Sequence, residues 1–309
     1  MAQSSATPHV KALSAEAYTS GWWGQVWHLV VWNLFLQSRR LQSSILAGIF
    51  LGGYLICQIF LIISHVLLSG SVSRLQDPAQ VLAFPASLQF SYGYLSLLAP
   101  LLLCILAGTF VGSEYGYGMH RQLLTRGLTR NQVLTAQLIA LALIALGLVA
   151  ITIILALVVG FLLGPLFGFA PAVLPLRGWL GVLLSWLTQS LRYFLYMLIA
   201  VFAATVGRSI LAGVGFSLGY LFFEFLSTTL LYGLLGGLSA RVATIIVDFT
   251  GSLPGIVSNE LNGYANTLIT GTNSVHTLPL SIALLVTLGY VLFFLLATFL
   301  IYHQSDIFD

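Results

Sequence analysis

Residues 132–163 read QVLTAQLIALALIALGLVAITIILALVVGFLL, and this stretch contains no Asp, Glu, Lys, Arg or His. A bilayer core is crossed by about 20 apolar residues in helical conformation. The run exceeds that length, so the chain enters a membrane here and the helix tilts or projects beyond the core. Five further stretches meet the same requirement, at 45–68, 91–112, 178–206, 209–235 and 279–302. The expected fold is an all-α integral membrane protein with six transmembrane helices.

Composition supports lipid as the solvent. Of 309 residues, 59% are hydrophobic and 6% charged, and mean hydropathy is +1.00. A soluble domain carries about 25% charged residues, and a disordered chain is poor in apolar ones. The net charge of +3 is too small and too scattered for a nucleic-acid partner. Cys57 and Cys104 both lie inside apolar runs and define no disulfide framework.

The cations orient the bundle. Lys11, Arg39, Arg40, Arg121, Arg126, Arg130 and Arg208 fall on one side if the chain crosses six times. Arg74, Arg177 and Arg241 fall on the other, offset by Asp77, Asp248 and Glu260. The positive-inside rule then places both termini in the cytoplasm.

Three regions divide the chain: a flexible tail over 1–17, an interfacial amphipathic helix over 18–42, and the six-span domain over 43–309. The second carries Trp22, Trp23, Trp27 and Trp32 and ends in Arg39-Arg40. Tryptophan favours the headgroup zone and arginine anchors there, so these six residues are the expected interfacial anchors. The outer segment 236–278 is rich in glycine, with apolar pieces at 242–249 and 264–270 too short to span. They read as short helices dipping into the outer interface and roofing a cavity, or as a plain structured loop.

The usual enzymatic signatures are absent. The six histidines are scattered, without HExxH or CxxC spacing, and there is no GxSxG elbow. A phosphate loop needs Gly-Lys-Ser/Thr, whereas the single lysine, Lys11, follows Val10. The chain is therefore read as a non-enzyme that binds no cofactor or metal itself.

Charge within a span is costly and marks pairing or function. Arg192 precedes the Gly207 break by 15 residues and Glu224 follows Arg208 by 16, which puts each roughly 22–24 Å from that turn. The two are expected to form a buried or cavity-lining ion pair in the outer half of the membrane, either as a static clamp or as a polar site on a transport path.

Glu114 stands at the inner end of the second span, in Gly112-Ser113-Glu114-Tyr115-Gly116-Tyr117-Gly118-Met119-His120-Arg121-Gln122-Leu123-Leu124. After it comes a short amphipathic piece carrying Arg121 and Arg126, a turn at Gly127, and Thr129 as N-cap before Arg130 opens the third span. This pattern (Gly112, Glu114, Gly118, Leu123-Leu124, Gly127, Arg130) resembles the permease subunits of type-2 ATP-binding-cassette (ABC) transporters. That family more often has Gly-Thr after the glutamate, a proline near the turn and a lysine in the third span. Met119, Gly127-Leu128 and Gln137 stand there instead.

The resemblance implies a dimer of permeases, homomeric or heteromeric, each half seated on a nucleotide-binding ATPase subunit that brings the ATP. It makes 115–128 the coupling helix, with Arg121 and Arg126 as contacts and Glu114 as the brace of its hinge. The function it implies is an exporter subunit in a cell membrane, with a prokaryotic inner membrane the expected one. The alternatives are an ion-coupled secondary transporter using Arg192 and Glu224, or a non-transporting accessory subunit that scaffolds a larger membrane complex.

Overall fold

The computed structural model describes residues 21–68, 78–117, 129–234, 246–247, 249–271 and 278–304. The flexible tail expected over 1–17 lies outside them, as do Gly118, Arg121, Leu123, Leu124 and Arg126 of the coupling segment. Among the described residues the chain is helical, with no strand. The elements are α1 (Trp22–Arg39), α2 (Leu41–Leu68), a 3-10 turn (Pro78–Leu82), α3 (Ala86–Tyr117) and α4 (Arg130–Val158). A π-helical turn (Val159–Leu163) and the short α5 (Gly164–Leu166) continue α4. Then follow α6 (Leu176–Gly207), α7 (Ile210–Leu234), α8 (Pro254–Thr270) and α9 (Leu280–Gln304).

Six of these helical stretches are long and apolar enough to cross a membrane: α2, α3, α4 with its extension, α6, α7 and α9. The protein is a multi-pass membrane protein. Most spans begin earlier or end later than the hydropathy alone indicated. A helix that has already satisfied its backbone continues past the apolar stretch until a cap or a breaker stops it. The third span runs over Arg130–Leu166, 37 residues.

Local chemistry sets the boundaries. Arg40 adopts an extended conformation (φ −72°, ψ 128°) that separates α1 from α2, so the first span starts at Leu41 and α1 ends at Arg39. Thr129 caps α4 in a reciprocal box: its hydroxyl accepts from the Gln132 N–H, and the Gln132 side chain accepts from the Thr129 N–H at 2.9 Å. Between α6 and α7, Arg208 takes a left-handed conformation (φ 46°) and the Ser209 hydroxyl accepts from the Ala212 N–H at 3.1 Å. That closes the hairpin in two residues.

The helix α6 is the centre of the fold, packing on α3, α4, α7, α8 and α9. Its residues Tyr193 and Leu195–Val201 are nearly all fully buried. By contrast α2 touches the rest mainly through its 3-10 neighbour, α3 and α1, and exposes Leu55, Ile56, Ile59 and Phe60. Such exposed apolar faces suit lipid.

Backbones meet where α3 crosses α7. A Cβ at Gly108 would lie 2.8 Å from the Val214 nitrogen, and one at Gly112 would lie 2.6 Å from the Ile210 Cα. Small residues at a crossing allow this approach, which is how helices gain contact in a solvent that supplies no hydrophobic drive.

The α1 helix packs on the start of α4, burying Val26 and Val30 with Ala136 and Ala140. Gln132 donates to Gln25 across the same contact at 2.8 Å. Trp22, Trp23, Trp27 and Trp32 are all exposed. Arg39 lies over the Phe35 ring at 4.5 Å, while Arg40 turns onto α3, donating to Ser113 at 3.4 Å.

Candidate functional site

Two buried polar centres emerge in the α3–α6–α7 core: an inner one at the end that carries the α6–α7 hairpin, and an outer one towards the opposite end. The outer centre surrounds an open cavity of about 490 Å³ walled by α3, α6, α7 and α8. Arg192 and Glu224 both line it. Their positions follow from the two-residue α6–α7 hairpin, which returns α7 antiparallel beside α6 and brings the residues to one level.

The two charges share the cavity without forming a direct salt bridge. Arg192 Nη1 donates to Asn259 Oδ1 on α8 at 2.8 Å and to Ser96 Oγ on α3 at 3.4 Å, and its buried Nε has no partner. Glu224 is 7% exposed and accepts from the Tyr196 hydroxyl at 3.1 Å. Tyr196 also faces the guanidinium, whose carbon lies 5.9 Å from its ring centre. A tyrosine thus stands where a direct ion pair was expected.

Glu224 has a second role in the architecture. The first turn of α8 begins with Pro254, and its N-cap Leu253 offers no side-chain acceptor. The free N–H groups of a helix start need one, and its dipole favours an anion. Glu224 lies beside this start, near the Ile256 N–H, which itself donates to the Leu253 carbonyl at 3.0 Å. Gly255 is required by the closeness of this contact, because a Cβ there would fall on the Tyr196 hydroxyl and on both carboxylate oxygens. The Tyr220 hydroxyl faces the same carboxylate but makes no hydrogen bond of ordinary geometry.

The segment 236–278, expected to roof a cavity or to form a plain loop, has an apolar piece at 264–270. The helix is longer, Pro254–Thr270, and its N-terminal turn forms the wall beside Glu224. It lies firmly on α6: Ser185 donates to Asn262 at 2.8 Å, and Gly181 abuts Ala265, Leu268 and Ile269. The piece at 242–245 lies outside the described residues.

The inner centre is built around Glu114, which is 4% exposed. Gln137 of α4, fully buried, faces it, and the Arg40 charge acts on it from the α1–α2 junction. Tyr115 next to it sits near Thr205 and Arg208 of the α6–α7 hairpin. Tyr302 of α9 and Arg130 at the start of α4 complete the neighbourhood. The α1–α2 junction, α4 and α9 therefore meet α3 at this carboxylate, and the α6–α7 hairpin joins them through Tyr115. Gln137 occupies the region where the resemblance led to a lysine, so Glu114 faces an amide there in place of a cation.

Tyr196, Asn259, Gly255 and Ser96 were not singled out from the sequence. One signal was present for α6: Ser185, Gln189, Arg192 and Tyr196 recur at spacings of four, three and four, which is one face of a helix. Nothing local in the sequence tied Gly255 or Asn259 to that face, because their placement depends on the return of α8. Among the described residues no group of His, Cys, Asp and Glu side chains could hold a metal ion.

No curated protein matches the chain in sequence. Residues 45–308, which take in part or all of each of the six spans and both buried carboxylates, match the family described as "Protein of unknown function (DUF2705)", and the chain belongs to that family.

Proposed function

We propose that this chain is the membrane-spanning permease subunit of an ABC exporter, with a separate nucleotide-binding ATPase subunit as its motor and a second permease as its partner. Both termini face the cytoplasm of a prokaryotic cell, and α1 rests its tryptophan face in the inner headgroup zone. The observation that carries this reading is the convergence of elements at Glu114 and Tyr115. The segment after them leads from α3 into α4; Glu114 meets the α1–α2 junction, α4 and α9, and Tyr115 meets the α6–α7 hairpin. A force applied to 115–128 acts on the whole inner end of the bundle. ATP-driven closure of the ATPase pair would supply that force.

The experiment is a mild-detergent purification that asks whether an ATPase subunit travels with the chain, followed by joint charge reversal of Arg121 and Arg126. The expected result is a co-purified ATPase whose hydrolysis no longer responds to the transport cargo in the double variant. Unchanged coupling would sink the assignment of this segment.

One observation favours a second reading, an ion-coupled secondary transporter: Arg192 and Glu224 face the same cavity without neutralising each other directly. Transport in proteoliposomes that runs on an ion gradient, with no ATPase present, would establish it in place of the first.

A further inference from the structure

The cavity beside Arg192 has the features of a binding site of definite chemistry. Its apolar wall includes Leu97, Leu101, Phe222 and Phe225. The same four are well exposed, Leu97 at 69% and Phe222 at 63%, so the open side of the cavity is rimmed by apolar side chains within the spans. An occupant with a hydrocarbon chain can enter from the bilayer and leave that chain against these residues while its head reaches inward.

The inner part is polar and carries both signs of charge. Among the described residues, Arg192 has no carboxylate partner, and its Nη1 bonds go to neutral acceptors, Asn259 and Ser96. Glu224 has a hydroxyl and a helix start around it and no cation in direct contact. Opposite charges so placed would collapse together in an apolar medium unless something held them apart. Tyr196 holds them apart and leaves each with capacity to spare. A singly charged ligand would gain one of these groups and be repelled by the other. A head bearing both charges gains both.

We propose that this cavity binds a zwitterionic amphiphile, with its anionic group on Arg192 and its ammonium on Glu224. Arg192 presents N–H donors suited to phosphate or carboxylate oxygens, and Glu224 offers acceptors to an ammonium. Specificity then comes from the separation of charges that Tyr196 and the start of α8 impose. As the cargo site of an exporter, this deepens the reading above. As a binding site, it requires no ATPase.

The test uses the full chain purified in a neutral maltoside detergent, with affinity read by native mass spectrometry or thermal shift. The probes are lysophosphatidylethanolamine, lysophosphatidic acid, an alkylamine and an alkyl glucoside. The expected result is that the zwitterion binds at least about tenfold more tightly than the others, the scale of one charge-assisted hydrogen bond. R192Q should lose the advantage of the zwitterion over the amine, and E224Q its advantage over the anionic lipid. Equal affinity for all four probes, or a preference unaffected by either variant, overturns the proposal.

If E224Q does not fold, L97W keeps the proposal open to refutation. It narrows the mouth and leaves both charges in place, and full affinity in that variant is an overturning result. So is an amphiphile-independent dimer that L97W dissociates, since a second copy would then cover the opening. Zwitterion binding without a co-purifying ATPase refutes the exporter reading alone. An ATPase partner without amphiphile preference refutes only this inference.

Discussion

Glu114 and Glu224 are both buried carboxylates of the same core, and they are held in opposite ways. Glu224 has ordinary partners: a tyrosine hydroxyl at 3.1 Å, the start of α8, and a glycine that makes room for it. Glu114 is held among groups from α4, α9 and the α1–α2 junction, with a buried glutamine facing it. The first arrangement is a local fit, dependent on atoms within one cavity. The second is a junction, dependent on how whole helices are disposed. Removing a contact at the outer centre should therefore cost what that contact is worth, while the inner centre should respond to changes in helix placement.

The largest expected effect tests the local fit. Gly255→Val forces a side chain onto Tyr196 and Glu224, and overpacking of this kind costs about 3 kcal/mol. Thermal unfolding in detergent measures it, and a variant as stable as the parent would mean that α8 does not sit against Glu224. Next comes Tyr196→Phe, which removes a hydrogen bond to a carboxylate and should cost about 1.5–2 kcal/mol in the same assay. A negligible loss would show that the outer centre is as tolerant as a junction.

Gln137→Leu should act with the opposite sign. Both polar atoms of the Gln137 side chain lack a hydrogen-bond partner of ordinary geometry. Replacing them with hydrocarbon should raise stability by about 1 kcal/mol. A loss instead would show that the Gln137 amide holds Glu114 directly and would narrow the contrast between the two carboxylates. The smallest effect belongs to α1. Trp23→Ala with Trp27→Ala removes exposed rings, so unfolding should shift by no more than about 0.5 kcal/mol. The isolated helix 18–42, tested on vesicles as a peptide, should bind more weakly once both are replaced.

The parts of this molecule legible in the sequence were those carried by a single helix. Apolar length gave all six spans, and Thr129 gave the start of α4, because a cap is chemistry between residues three apart. Counting residues from the Gly207 break also put Arg192 and Glu224 at one level, since a two-residue turn leaves little freedom. What escaped notice was every relation that depends on a distant return of the chain. Gly255 is an unremarkable glycine in a glycine-rich loop until α8 folds onto α6 and meets a carboxylate from α7. Asn259 takes its place beside Arg192 by the same return. The intervening Tyr196 also could not be inferred, because depth along two helices says nothing of their rotation about their axes.

The crossing of α3 and α7 has a mechanical consequence. At Gly108, Gly112 and Gly213 the two main chains touch with no side chains between them that could yield. Soft packing absorbs a small displacement by changing rotamers; bare main chain passes it on. A displacement of α3 at this crossing is therefore expected to pass to α7. Glu114 stands two residues beyond the Gly112 contact and Glu224 lies further along α7, so the same contact links the two carboxylates mechanically.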